Sequence, residues 1–290
     1  MNFEEHALAF PCNDAWLYGV LSLPEKARSR GVLIVVGGPQ YRVGSHRQFT
    51  LLARHLAAHG IPVLRFDSRG MGDSEGDTRT FEEVEDDLRC AIDAFFKEMP
   101  PLKELVIWGL CDAASAAVFY AYMDPRVTGL VLLNPWVRTN EGAAKVYLKH
   151  YYASRILERE FWGKVLTGKF NYSDAARSLA KTVSQALSGK KRIVANATDR
   201  DCDSSFNDGL PARMLHGLGH FEGKVLLITS GKDLTAQEFQ SLVNSSSEWQ
   251  KLLDSPSVSR LDFPEANHTF SRRAWRDTVA NWTREWIHSW

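Results

Sequence analysis

Short apolar runs alternate with amphipathic stretches along most of the chain, a pattern typical of a mainly parallel sheet covered by helices on both faces. We expect buried strands at residues 16–23, 31–36, 62–67, 105–110, 127–133, 224–230 and 258–263. Apolar residues that recur every three or four positions predict helices at 46–59, at 81–96 with Thr80 as the N-cap, and at 272–290. The pattern therefore predicts an α/β fold.

The alternation breaks between Pro135 and Gly223, where aromatic and basic residues are frequent and no strand pattern is clear. Helices inserted at this point would lie over the carboxyl edge of the sheet, where ligands bind in open α/β folds. We expect a core built from residues 1–136 and 223–290 and a helical cap built from residues 137–222. A few extra helices packed at one side of the sheet are the alternative.

The balance of charged residues indicates which kind of molecule the protein is expected to bind. The 290 residues include 35 basic and 35 acidic side chains, so no net charge attracts nucleic acid or an anionic membrane over distance. Residues 2–6 lack a basic region and a long apolar segment, and no later run approaches the length of a membrane span. We expect a cytoplasmic protein without stable membrane insertion that acts on a small molecule. The oligomeric state is left open.

The four cysteines are scattered without a Cys-x-x-Cys pair, so neither a zinc site nor a dithiol redox motif is indicated. They are Cys12, Cys90, Cys111 and Cys202. Cys90 falls on the apolar stripe of a predicted helix, Cys12 in a predicted turn and Cys202 in an Asp-rich loop. Cys111 differs from the other three in its surroundings.

Cys111 stands between an apolar strand and a run of small helix-forming residues, in the sequence LVIWGLCDAASAA from Leu105 to Ala117. A strand that runs into a nucleophile and turns at once into a helix is a nucleophile elbow. The N-terminus of the helix favours a thiolate, which is the reactive form. Ala113 replaces the second glycine of the usual pattern, but it keeps the small size required for helix–strand packing. Simple burial of the cysteine is the alternative.

Two serines compete with Cys111 for the nucleophile role. Ser74 lies in Gly72–Gly76, a complete Gly-x-Ser-x-Gly match, but a loop precedes it and no helix follows it. Ser115 lies four positions into the helix after Cys111, which should point it one turn away from the site. We therefore interpret Ser74 as a loop residue and Ser115 as a packing residue.

A thiol nucleophile needs a base and an acid that orients the base, and both follow predicted strands in the expected chain order. Asp233 follows the strand at 224–230, and His268 follows the strand at 258–263. The backbone N–H of Asp112 is one candidate donor to an oxyanion. The second candidate is the N–H of Gly38 or Gln40, since the proline between them has no N–H.

Five segments together resemble the α/β-hydrolase superfamily over essentially the whole chain outside the predicted cap. They are Gly37-Gly38-Pro39, residues 66–74, the elbow at Cys111, residues 230–233 and Asn267-His268. Residues 37–49 and the elbow also resemble the exosortase A system-associated hydrolase 1 family, which accompanies bacterial exopolysaccharide and protein-sorting gene clusters. The resemblance implies the α/β-hydrolase fold and a bacterial setting, and it defines no substrate.

The resulting hypothesis is an ester or thioester hydrolase with Cys111 as nucleophile, His268 as general base and then acid, and Asp233 as the orienting acid. The intermediate would be a thioester acyl-enzyme, and no metal or organic cofactor is required. One alternative is an acyltransferase that passes the acyl group to a sugar or amine. A second alternative is a non-catalytic binding protein on the same fold.

Overall fold

An eight-stranded sheet forms the centre of the protein. The computed structural model describes residues 2–38, 40–137 and 209–290. The strands are β1 (Phe3–Cys12), β2 (Ala15–Pro24), β3 (Arg30–Val35), β4 (Val63–Phe66), β5 (Glu104–Leu110), β6 (Val127–Leu133), β7 (Lys224–Lys232) and β8 (Val258–Asn267). Their order is β1-β2-β4-β3-β5-β6-β7-β8, with β2 antiparallel to both β1 and β4 and all other pairs parallel. The predicted mainly parallel sheet is confirmed.

Helices cover both faces of this sheet, as predicted. The described helices are α1 (Gln48–Ala58), α2 (Glu85–Glu98), α3 (Asp112–Ala121), α4 (Leu210–His220), α5 (Leu234–Ser245), α6 (Ser247–Leu253) and α7 (Arg273–His288). Successive β3 residues alternate between two hydrophobic clusters: Val32 and Ile34 pack with α1 and α7, and Leu33 and Val35 with α2 and α3. None of the helices described is long and apolar enough to cross a membrane.

Three features at the edges of the fold differ from the sequence expectations. The strand β1 was not expected, because its largely exposed residues lack the apolar run of a buried strand. Cys12 ends this strand and is buried. The helix α2 begins at Glu85 and not at Phe81. The carboxylate of Glu83 accepts hydrogen bonds from the N–H and hydroxyl of Thr80 at 3.2 and 2.9 Å, which closes a turn before the helix.

Most of the predicted cap, residues 138–208, lies outside the described residues. Its described end includes α4, which packs on α3 in the layer that covers the sheet. Gly217 makes this contact close, since a Cβ there would lie 2.6 Å from the carbonyl oxygen of Val118. The division into a core and a cap remains a prediction.

Candidate active site

Cys111 occupies a strained turn between β5 and α3. Its φ and ψ are 62° and −123°, a conformation that L-residues rarely adopt and that is concentrated at functional sites. The turn is held by a hydrogen bond of 2.9 Å from the Cys111 N–H to the carbonyl of Leu133. A Cβ at Gly109 would lie 2.6 Å from the backbone of Ala113, so β5 and α3 approach closely only because one residue is glycine and the other is small. The sequence therefore folds into the strand–turn–helix arrangement of an elbow.

Asp233 lies at the junction of β7 and α5, where it is the N-cap of the helix. Its carboxylate accepts the N–H groups of Thr235 and Ala236 at 3.3 and 3.1 Å, and the oxygen bonded to Ala236 is also 2.9 Å from Nδ1 of His268. Gly231 allows β7 to approach β8, since a Cβ there would lie 2.4 Å from a β8 carbonyl oxygen. The helix cap thus orients the carboxylate that contacts the histidine.

His268 hydrogen bonds to Asp233 and lines the same cavity as Cys111. The hydrogen bond to Asp233 and the contact with Cys111 raise the pKa of His268 from 6.5 to about 10, while partial burial opposes the shift. The side chains of Asn267 and Ser271 are hydrogen bonded at 2.8 Å across the turn that carries the histidine. The structure therefore brings Cys111, His268 and Asp233 together from the ends of three parallel strands.

Asn134 joins these strand ends, and sequence reasoning missed it. It is fully buried, with a φ of 44°. Its side-chain oxygen accepts the N–H of Ser230 at 2.8 Å, and its side-chain nitrogen donates to the hydroxyl of Ser230 at 2.9 Å and to the carbonyl of His268 at 3.2 Å. An asparagine directly after a buried strand was the available signal, because this residue tolerates positive φ.

Replacing Asn134 with alanine is expected to destabilise the protein by about 2 to 4 kcal/mol, since the buried N–H of Ser230 and carbonyl of His268 lose their partner. Urea unfolding measures the change. The control is Asn244→Ala at an exposed position in α5, with an expected change within about 0.5 kcal/mol. Equal stability of the two variants would contradict this role for Asn134.

A cavity of about 380 Å³ opens in front of Cys111. Its described lining consists of Gly37, Gly38, Gln40, Phe49, Phe81, Leu110, Cys111, Asp112, Trp136 and His268. Three aromatic side chains make much of the wall apolar, and the volume is in the range of small-molecule sites. Sequence periodicity does not indicate that these aromatic residues share one wall, because they come from three distant segments.

The loop after β3 carries the predicted second donor to an oxyanion. The N–H of Gln40 donates to the carbonyl of Gly38 at 2.8 Å, and the side-chain oxygen of Gln40 accepts the N–H of Ser45 at 3.0 Å. The N–H of Gly38 donates instead to the carboxylate of Asp112 at 2.8 Å. Both N–H groups are therefore hydrogen bonded, that of Gln40 within its own loop and that of Gly38 to a residue of the cavity lining.

The two competing serines bind backbone groups. The hydroxyl of Ser74 donates to the carbonyl of Asp67 at 2.7 Å and accepts the N–H of Tyr18 at 2.9 Å. Ser74 lies in a loop, without the strand and helix of an elbow. The hydroxyl of Ser115 donates to the carbonyl of Trp136 at 2.7 Å. Both side chains hold the fold in place.

The other described cysteines lie away from this cavity. Cys12, Cys90 and Cys111 are free thiols, and Cys90 packs at the edge of the hydrophobic core. Cys202 is outside the described residues. Among the residues described, no group of three or more His, Cys, Asp or Glu side chains could hold a metal ion.

Comparison with known proteins shows the family to which the chain belongs. A family model described as alpha/beta hydrolase fold matches residues 32–271. The chain belongs to the α/β-hydrolase family. Solved structures similar to this α/β hydrolase include an esterase of Pyrococcus furiosus, at 16% identity and a TM-score of 0.65 over 99% of this chain and 92% of the other. A dienelactone hydrolase of Anabaena variabilis ATCC 29413 matches at 16% identity and a TM-score of 0.62, over 100% and 99% of the two chains.

A curated relative matches part of this α/β hydrolase. It is the polyketide transferase grgF of Penicillium sp, 28% identical over 115 residues. The match covers 38% of this chain and 39% of the relative, so the chain spans about two fifths of that protein's length. The similarity to these solved structures shows the fold alone.

Proposed function

We propose that this α/β hydrolase cleaves an ester or thioester through a Cys111–His268–Asp233 triad. The observation that carries the proposal is the position of His268, which hydrogen bonds to Asp233 through Nδ1 and lines the same cavity as Cys111. A nucleophile, a base and an orienting acid in this contact order are the requirements of covalent acyl transfer. The elbow conformation of Cys111 supports the same assignment.

The raised pKa of His268, about 10, makes its imidazole a base strong enough to take the thiol proton of Cys111 in the proposed reaction. In the proposed reaction the thiolate attacks the carbonyl carbon, and the N–H groups of Asp112 and Gly38 stabilise the oxyanion. His268 donates its proton to the leaving alcohol or thiol as the C–O or C–S bond breaks. Water then attacks the thioester, His268 takes its proton, and the acid leaves as the sulfur is regenerated.

The proposal also covers the acyl group, the need for cofactors, the cap and the cellular location of the enzyme. Aromatic side chains in the cavity wall suit an apolar acyl group, and the chemistry needs no metal or organic cofactor. We infer a cap over residues 137–222, since these residues follow the strand next to the elbow. The similarity of residues 37–49 and of the elbow to the exosortase A system-associated hydrolase 1 family supports a bacterial enzyme, for which we propose a cytoplasmic location.

Mass labelling with p-nitrophenyl butyrate tests the nucleophile. The wild-type protein is expected to show a burst of p-nitrophenol and one butyryl adduct on Cys111. The Cys111→Ala variant should lose the adduct, with kcat/KM lower by about 10³-fold or more. Cys111→Ser should retain a small part of the activity, because a hydroxyl in the same position is a weaker nucleophile that the same base can activate.

The control for this experiment is Cys90→Ala, which removes a free thiol away from the cavity and should retain the burst and the adduct. An unlabelled Cys111 in the wild type, together with an unchanged rate in Cys111→Ala, would contradict the proposal. Absence of any turnover would favour the non-catalytic binding protein.

Acyl transfer is the second candidate, favoured by the partial similarity to a polyketide transferase. A thioester intermediate reacts with amines as well as with water, so the two functions share the first half of the reaction. Product analysis in the presence of an amine or sugar acceptor separates them. Hydrolysis predicts mostly free butyrate, whereas a majority of butyrylated acceptor would establish the transferase.

A further inference from the structure

The carboxylate of Asp112 lies where the proposed oxyanion would find its hydrogen bonds. One oxygen accepts the N–H of Gly38 at 2.8 Å, and the other accepts the N–H of Ala113 at 3.0 Å. A Cβ at Gly37 would lie 1.9 Å from this carboxylate, so only glycine allows the loop to pack against it. The proposed reaction uses the backbone of Asp112 and gives its side chain no role.

The carboxylate and an oxyanion would compete for the same donor. Both are negatively charged acceptors, and binding both at Gly38 would place like charges in contact beside the reacting carbon. The carboxylate must therefore release the N–H of Gly38 before the oxyanion can form there. Once released, the carboxylate keeps its hydrogen bond to Ala113, and a cationic partner at the vacated oxygen would stabilise its charge further.

The described walls of the cavity contain no such partner. The one cationic side chain among the described lining residues is His268, which already contacts Asp233 and Cys111. Gln40 directs its side-chain oxygen to Ser45. The other described lining residues are glycine, leucine and aromatic, apart from Cys111 and Asp112 themselves. A cation carried by the substrate would supply the partner that these described residues do not.

We propose that Asp112 is a specificity-determining residue that selects substrates carrying an ammonium group. The cation pairs with the carboxylate and frees the N–H of Gly38, so that binding of the preferred substrate completes the oxyanion hole. The aromatic side chains of Phe49, Phe81 and Trp136 in the same cavity suit a quaternary ammonium, which binds to aromatic faces. This inference rests on the proposed function and names its substrate class.

Two matched pairs of esters test the selection. The first pair is butyrylthiocholine and S-(3,3-dimethylbutyl) thiobutyrate, which differ by a carbon in place of the charged nitrogen on the leaving group. The second pair is the p-nitrophenyl esters of 4-(trimethylammonio)butyrate and 5,5-dimethylhexanoate, which differ in the same way on the acyl group. The wild type is expected to favour the cationic member of at least one pair by about tenfold or more in kcat/KM.

Two variants separate the charge from the hydrogen bond. Asp112→Asn removes the charge but keeps one acceptor oxygen for Gly38, whereas Asp112→Ala removes both and leaves the backbone N–H of residue 112 in place. Both are expected to reduce the preference to about threefold or less, through slower turnover of the cationic ester. Asp112→Ala should also turn over the neutral ester faster than the wild type, because the N–H of Gly38 is free.

The control is Asp14→Asn, which removes an exposed carboxylate from the β1–β2 turn and should keep the wild-type preference. Intact-mass detection of the acyl adduct on Cys111 accompanies every assay. If the wild type forms the adduct but shows no preference in either pair, the selection is wrong and the proposed function stands. The same conclusion follows if both Asp112 variants keep the wild-type preference for the cationic ester. If no ester gives an adduct in the wild type, the proposed function fails, and the selection fails with it.

Discussion

Replacing His268 with alanine is expected to lower kcat/KM for p-nitrophenyl butyrate by about 10³-fold or more, and Asp233→Asn by roughly 10²- to 10⁴-fold. The alanine variant loses the group that, in the proposed reaction, carries the proton between sulfur, leaving group and water. The asparagine variant keeps the shape of the side chain but loses the charge that orients and stabilises the imidazolium. Steady-state kinetics at neutral pH measures both effects.

The same variants make a prediction about protonation. Because the hydrogen bond to Asp233 is the largest cause of the raised pKa of His268, Asp233→Asn should move that pKa from about 10 back toward 6.5. NMR titration of the His268 ring measures the change. The matched control is Glu265→Gln, an exposed carboxylate on β8 that should leave the titration unchanged. A His268 pKa that is the same in wild type and Asp233→Asn would contradict the orienting role.

The raised pKa of His268 also determines how the free energy of unfolding depends on pH. A histidine whose pKa is higher in the folded state holds its proton more tightly there, so its contribution is fully present below pH 6.5. That contribution is lost as the pH rises toward about 10. The free energy of unfolding of wild type and Asp233→Asn should therefore differ most at the acidic end of this range and converge at the alkaline end.

Asp87→Ala is expected to destabilise the protein by about 3 to 5 kcal/mol, the largest stability effect that we predict. The Asp87 carboxylate is fully buried on α2 and accepts hydrogen bonds from the side chain and backbone N–H of Arg69. The side chain of Arg69 is only 7% exposed, and its other ion pair, with Asp86 at 3.7 Å, is longer and partly exposed, so removing Asp87 leaves a buried charge poorly compensated. Urea unfolding measures the loss.

Two comparisons isolate the cause of this loss. Arg69→Met combined with Asp87→Leu removes both charges, and it should recover much of the stability that Asp87→Ala loses. Glu265→Ala breaks the exposed ion pair with Lys232 and should cost at most about 1 kcal/mol. A double variant that is no more stable than Asp87→Ala would show that the loss comes from packing and not from the unpaired charge.

Much of the fold could be predicted from periodicity alone. Strands such as β5 and β6 are apolar along most of their length because both faces of a parallel sheet are covered, and this gives a clear signal. The exposed edge strand β1 has no such signal, and its pairing with β2 becomes visible only in the folded sheet. The start of α2 was misplaced: Val84 and not Thr80 is its N-cap, and Thr80 bonds to Glu83 in a turn before the helix, a contact that periodicity does not detect.

The candidate triad could be predicted from the sequence for a different reason. Cys111, Asp233 and His268 each follow a predicted strand, and the carboxyl ends of parallel strands share one edge of a sheet. Asn134 follows a strand in the same way, but its role depends on contacts with Ser230 and His268 that only the fold reveals. The aromatic walls of the cavity were missed for the same reason.

The sequence by itself determined the α/β architecture and which residues stand at the carboxyl ends of the strands, because local periodicity encodes both. Only the tertiary structure decided which of those residues meet. The register shift between β7 and β8 near Gly231, the strained turn at Cys111 and the hydrogen bond from Gly38 to Asp112 are long-range results of packing. Sequence spacing does not encode them, since each depends on how close two distant backbones can approach.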